Sequence, residues 1–209
     1  MPNSNFFYPL NPYLGSLVQS NVLGARQALR ETICRLALTA AQATVQVTAK
    51  YLSAASVAVA LDTQTILAQP TCPRNVVATP AGTTANVTAV SMTIFGTDES
   101  GATISEVLPA FTAGAATAVT GVKAFATISR ITSPIVGAAV TVSVGDGYKF
   151  GIPTLLTRNT VLKGGAYLNQ VREGTDPTVT TDTASLANNG FTLNSTPTAT
   201  PIDLYYLVP

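Results

Sequence analysis

The sequence predicts a mainly β protein: an Ig-like or jelly-roll-like antiparallel β-sandwich with an extended N-terminal arm and one short helix. Two observations carry this prediction. Thr, Ser and Val dominate the strands predicted between residues 75 and 152, and β-branched side chains suit a pleated surface with one dry and one wet face. Short segments of alternating apolar and polar residues are separated there by clusters of Gly, Pro and Asp at fairly even spacing, which is typical of a sandwich or barrel.

Residues 1–20 are predicted to form the extended arm. They have neither helical nor strand periodicity, yet they are rich in Pro, Asn and aromatic residues. A solvated disordered tail would be poor in aromatics, so the arm is expected either to dock onto a neighbouring subunit or to fold back on its own core. The predicted interaction residues are aromatics from both ends of the chain: Phe6, Phe7, Tyr8, Tyr13, Tyr205 and Tyr206.

Residues 21–69 are predicted to link the arm to the core. From residue 21 to about residue 42, apolar residues recur at spacings of three and four with charged residues between them, which indicates the one helix. Beyond it, residues 45–51 and 56–61 alternate between apolar and polar, which favours two half-buried strands.

The β-sandwich domain is predicted over residues 70–209. Pro70 and Pro73 mark its beginning, because proline cannot donate a hydrogen bond inside a central strand. Strands are predicted at 75–78, 85–95, 103–108, 121–131 and 139–144, with turns at 79–82, 96–101 and 145–147. An apolar closing strand is predicted at 203–208, and it needs a partner in its own or a neighbouring sheet because an exposed edge of this kind invites aggregation.

Composition favours an assembling protein over a free monomer. Charged residues make up only 10% of the chain, against about 25% in ordinary soluble domains. The net charge of +1 provides no field for phosphate backbones, so no nucleic-acid partner is predicted. No apolar run reaches the roughly 18 residues of a membrane helix. The N-terminus lacks the pattern of a secretory signal, so synthesis in the cytoplasm is expected.

No catalytic, cofactor-binding or metal-ligating residue is predicted, and the chain is not expected to be an enzyme. The sequence contains no histidine, which excludes Ser-His-Asp, Cys-His and HExxH chemistry. Paired carboxylates could cleave glycosides, and the acids available in the β-region are Asp98, Glu99, Glu106 and Asp146. Three of them, Asp98, Glu99 and Asp146, fall in predicted turns, where a structural role is expected. Cys34 and Cys72 are interpreted as buried thiols or as one disulfide.

Several segments resemble a protein family. Residues 73–80 (PRNVVATP) and 90–106 (VSMTIFGTDESGATISE) are similar to tailed-bacteriophage virion structural proteins of the capsid decoration or cement type. The similarity continues at 121–131, 144–153, 190–194 and 204–206, and so covers roughly the last two thirds of the chain.

The resemblance implies a virion protein on the capsid surface that cements or decorates the shell by bridging neighbouring capsid subunits. Its expected partners are the major capsid protein and further copies of itself, with a trimer preferred because closed symmetry favours cyclic oligomers. No cofactor and no membrane partner are expected. The alternative is a neck, tail or head-fibre protein of the same virion with a structural or adhesion role.

Overall fold

The computed structural model describes residues 32–208 and confirms the mainly β prediction. It contains fourteen strands and two single-turn 3-10 helices, Thr84–Asn86 and Leu186–Asn188. The strands are β1 (Thr32–Leu38), β2 (Leu52–Ser56), β3 (Leu61–Thr63), β4 (Arg74–Gly82), β5 (Thr93–Thr97), β6 (Thr103–Val107), β7 (Val119–Thr120), β8 (Thr127–Ser133), β9 (Val140–Gly151), β10 (Val161–Leu168), β11 (Val171–Arg172), β12 (Thr178–Thr180), β13 (Gly190–Thr192) and β14 (Ile202–Val208).

The strands form three antiparallel sheets in a sandwich-like arrangement. Sheet A has the order β1-β14-β10-β11, and sheet C has the order β3-β8-β5-β6. Sheet B has the order β12-β13-β9-β4-β7, with β2 also paired to β9. The N-terminal strands are integral to these sheets, because β1 pairs with β14, β2 with β9 and β3 with β8.

The first hydrophobic core lies between sheets B and C. Strand β9 contributes Val140, Val142 and Val144, and β8 contributes Ile128 and Ile131, all with at most 2% exposure. Val140, Val142 and Val144 show the period-two pattern of a strand with one dry face. In β8 a register shift against β5 brings Ile128 and Ile131, three residues apart, into the same core. Strand alternation, which the sequence shows clearly in this region, therefore builds the core directly.

The second core lies between sheet A and the far end of sheet B. Phe150 on β9 stacks on Phe191 on β13, with ring centroids 5.5 Å apart. Alternate residues of β14 (Ile202, Leu204 and Tyr206) cover this pair from sheet A. Strand β9 is long enough to serve both cores, so it ties sheet A to the sandwich.

A buried polar network lies where β9 passes from one core to the other. Asp146 and Arg74 are both fully buried, and an Nη1 atom of Arg74 lies 3.6 Å from the Asp146 carboxylate. Lys50 Nζ approaches the same carboxylate to 2.8 Å, and the Tyr51 hydroxyl donates a hydrogen bond to it. Arg74 also donates to the Gly147 carbonyl and lies over the Phe150 ring, with 4.7 Å between Cζ and the ring centroid.

Several predicted elements are confirmed within the described residues. The predicted strands at 75–78, 103–108, 139–144 and 203–208 correspond to β4, β6, β9 and β14. The predicted turn at 96–101 is correct from Asp98 onward, since the Asp98 carboxylate accepts hydrogen bonds from the amides of Ser100 and Ala102. The predicted strands at 85–95 and 121–131 are correct only in their last residues, where β5 and β8 begin.

The helix predicted to about residue 42 is wrong from Thr32 onward, where the chain forms β1; residues 21–31 lie outside the described part. Pairing with β14 over seven residues outweighs the local helix propensity. Among residues 32–208 the structure has no helix of the length and apolarity needed to cross a bilayer.

Two predicted turns and two predicted strands are also wrong. Residues 79–82 and 145–147 lie inside β4 and β9. Residues 44–50 form a loop instead of a strand, and its Val47 carbonyl accepts a hydrogen bond from the Asp146 amide. The predicted strand at 56–61 is also absent: β2 ends at Ser56, β3 begins at Leu61, and residues 57–60 form the loop between them.

Candidate interaction surface

The predicted interaction residues fall into two groups. Phe6, Phe7, Tyr8 and Tyr13 lie outside the described residues. Tyr205 and Tyr206 are neighbours on β14, so their side chains point to opposite faces of sheet A. Tyr206 is 3% exposed in the second core, with its hydroxyl 3.2 Å from Thr154 Oγ1. Tyr205 lies half-buried on the opposite face, which we call the outer face of sheet A.

Register brings apolar and aromatic side chains together on this outer face. Ile33 on β1 lies opposite Leu207 on β14. The Tyr205 ring meets the Tyr167 ring of β10 edge to face, with centroids 5.9 Å apart and planes at 80°. Ile33 remains 63% exposed, so the described residues leave this part of the face uncovered.

The outer face carries one ion pair and one further cation, Arg172, which lies exposed on β11 opposite Tyr167. Arg35 lies opposite Tyr205, and its guanidinium reaches diagonally to Asp203, with Nη2 2.8 Å from Oδ1 and Nε donating to the same oxygen at 2.9 Å. The ion pair closes the charge beside Tyr205, so the part of the face around Ile33, Tyr205 and Leu207 is apolar and aromatic and suits an apolar partner.

The outer edge of β1 adds a second mode of contact. Strand β1 ends the order of sheet A, and no strand among residues 32–208 pairs with its free side. An open edge can accept an extended segment through main-chain hydrogen bonds. Near the Leu38 end, a groove of about 380 Å³ extends the outer face; it is lined by Arg35, Ala37, Leu38, Thr39, Ala40, Gln170, Pro201 and Asp203.

Three of the four carboxylates considered for catalysis, Asp98, Glu106 and Asp146, are engaged in structural hydrogen bonds. Asp146 belongs to the buried network, so the prediction of a turn role for it is wrong. Glu106 accepts hydrogen bonds from the amides of Val122 and Lys123 at 2.6 and 3.2 Å and so holds the loop before β8. Asp98 organises its own turn. Burial, followed by the neighbouring Asp98 charge, raises the pKa of Glu99.

Both cysteines are free thiols. Cys72 is buried in the second core and Cys34 is half-buried on the inner face of β1. The sequence left two interpretations open, and the structure supports free thiols over a disulfide.

Sequence reasoning missed Ile33, Arg35 and Tyr167 as surface residues. The first two were assigned to the predicted helix. In the structure they lie on a strand, and the alternating exposure along β1 places Ile33, Arg35 and Ala37 on one face. Tyr167 lies in a segment whose periodicity is weak, and no local signal identifies it.

No family model, no curated protein and no solved structure matches this chain. The functional argument therefore rests on the structure: an apolar and aromatic sheet face beside an open strand edge, on a fold in which Asp98, Glu106 and Asp146 are engaged in hydrogen bonds.

Proposed function

We propose that this protein is a structural virion protein of a tailed bacteriophage that binds the outer capsid surface and cements or decorates the shell. The observation that carries the proposal is the outer face of sheet A, where Ile33, Tyr205 and Leu207 lie beside the open edge of β1. A face of this kind matches a protein partner, and the resemblance of residues 73–106 to decoration proteins supplies the class of partner.

The arm gives the proposal its bridging element. Residues 1–20 contain no Asp, Glu, Lys or Arg, but they contain Phe6, Phe7, Tyr8 and Tyr13. Eleven residues separate them in sequence from β1, an edge strand of sheet A. An arm and a sheet face that contact different capsid subunits would bind with high avidity, because the second contact becomes intramolecular once the first has formed.

A non-enzymatic role agrees with the chemistry of the chain. The sequence has no histidine, and Asp98, Glu106 and Asp146 serve the fold through hydrogen bonds and ion pairs. The partners that we propose are the major capsid protein and further copies of this chain, with a trimer as the preferred oligomer.

Copy number and position on purified virions test the proposal. We expect hundreds of copies on the capsid surface, measured by quantitative mass spectrometry and located by electron microscopy. About a dozen copies at one vertex or along the tail would replace cementing by a neck, tail or head-fibre role.

A further inference from the structure

Tyr148 forms one wall of a small groove on sheet B, away from the buried network. Its side chain is 38% exposed, whereas Gly147 and Phe150 beside it on β9 are buried. The loop after β13 runs past the ring and closes a groove of about 210 Å³. The other lining residues are Thr192, Leu193, Asn194, Ser195, Thr196 and Pro197.

The loop is anchored through its backbone, and its polar side chains are free. The Ser195 amide donates a hydrogen bond to the Glu173 carboxylate at 3.0 Å, and Glu173 is itself buried. The side chains of Asn194, Ser195 and Thr196 make no hydrogen bond with any residue in the described part of the chain. A fixed loop therefore presents one amide and two hydroxyl groups beside an exposed aromatic ring.

From this arrangement we infer that the groove binds a neutral sugar. A pyranose ring has an apolar face of C–H groups that can lie against Tyr148 and hydroxyl groups that can exchange hydrogen bonds with Asn194, Ser195 and Thr196. No Lys or Arg lines the groove, so no cationic side chain is present there to pair with the charge of an anionic sugar. Its volume lies below the range of about 300–1,000 Å³ that is usual for drug-sized ligands, which matches one sugar unit.

The inference does not rest on the proposed capsid role, because it concerns sheet B and a different class of ligand. Its test is ligand-observed saturation-transfer NMR on the purified full chain with the methyl glycosides of glucose, galactose, mannose and N-acetylglucosamine. At least one of them is expected to bind with a dissociation constant of about 1 mM, a typical value for a single weakly held ring.

Four variants make the test specific for the groove. Tyr148→Ala is expected to weaken binding about tenfold, whereas Tyr148→Phe keeps the ring and most of the affinity. Thr196→Val, which replaces a hydroxyl by a methyl group, is expected to weaken binding by a factor of about five. Tyr167→Ala removes a tyrosine from the outer face of sheet A and should leave the affinity unchanged.

Two outcomes would overturn the inference. The first is that none of the four glycosides gives saturation transfer at millimolar concentration. The second is that Tyr148→Ala, shown to be folded by circular dichroism, binds as well as the unaltered chain. Neither outcome changes the copy number or position on the virion, so failure of the sugar site and failure of the proposed function are distinguishable.

Discussion

At the scale of single residues, Arg74 and Asp146 form a buried ion pair where the two hydrophobic cores meet. Both side chains are fully buried, and a buried charge is tolerated only when it is paired and hydrogen-bonded. The Arg74 guanidinium donates hydrogen bonds to the Gly147 and Thr44 carbonyls and forms an ion pair with the Asp146 carboxylate. The network thus joins the loop at residue 44 to the paired strands β4 and β9 of sheet B.

Asp146→Asn is expected to lower the free energy of unfolding by about 3 kcal/mol, because it leaves Arg74 and Lys50 without their common counter-charge. Urea denaturation followed by circular dichroism measures the loss. Asp62→Asn is the matched control, since Asp62 pairs with Arg130 through two hydrogen bonds at the surface. The control should cost much less, because water screens an exposed ion pair, and equal losses in the two variants would contradict a dominant role for burial.

Because of the Cys72 thiol, the free energy of unfolding is expected to depend on pH in the alkaline range. Burial raises the pKa of its thiol from 9.0 to about 11 in the folded chain. A raised folded-state pKa means that stability is fully present below the unfolded-state pKa and is lost as pH rises through the folded-state value. Unfolding free energy should therefore fall between pH 9 and 11.

Urea titrations at several pH values measure this fall. Cys72→Ala removes the thiol and should flatten the slope in that interval, although burial and the Asp146 charge also raise the pKa of Tyr51 and leave part of the alkaline loss in place. A slope that is identical in the variant and the unaltered chain would show that Cys72 does not contribute.

At the scale of elements, β14 shows how one strand serves two purposes. Leu204 is fully buried in the second core, while Leu207 lies on the outer face opposite Ile33. Leu204→Ala is expected to destabilise the chain by about 2–5 kcal/mol, as for other buried leucines. Leu207→Ala should cost less than half as much, measured by the same denaturation. Equal costs would mean that the outer face is as tightly packed as the core.

Strands with one dry face could be predicted from the sequence, because alternation there reflects burial directly. Strands β6 and β14 are examples, and the Asp98 turn follows from the side-chain chemistry of aspartate. Residues 145–147 misled the prediction because their glycines suggest a turn. A Cβ at Gly145 would lie 1.6 Å from the Val47 carbonyl oxygen, so this glycine serves close packing inside β9.

The candidate surface was less predictable than the core. Tyr205 was identified, but its partners on the outer face come from β1 and β10, far away in sequence. Only the register of sheet A brings Ile33 and Tyr167 to the same face. Long-range pairing overrode the helix propensity around residue 32, and no local pattern encodes that pairing.

At the scale of the whole molecule, the distribution of exposed apolar residues bears on assembly. Ile33 on β1 and Val107 on β6 are 63% and 67% exposed, yet their surroundings differ. Ile33 lies opposite Leu207 on the outer face of sheet A. Val107 is the last residue of β6, the edge strand of sheet C. The proposed function assigns capsid binding to the first location only.

Ile33→Asp should therefore weaken binding to purified capsids that lack this protein by more than about tenfold, because a charge at the centre of an apolar contact must be desolvated without a partner. Co-sedimentation over a range of protein concentrations measures the affinity. Circular dichroism should show an unchanged fold, since substitutions at exposed positions usually alter stability by less than about 0.5 kcal/mol.

Val107→Asp places the same charge on an equally exposed β-branched site and should bind capsids like the unaltered chain. The pair of variants separates two explanations of capsid binding, because a general effect of added negative charge would weaken both alike. Loss of binding in Val107→Asp alone would move the docking surface to sheet C and leave the outer face of sheet A without its proposed role. Loss in Ile33→Asp alone would link the geometry of β1 and β14 to assembly.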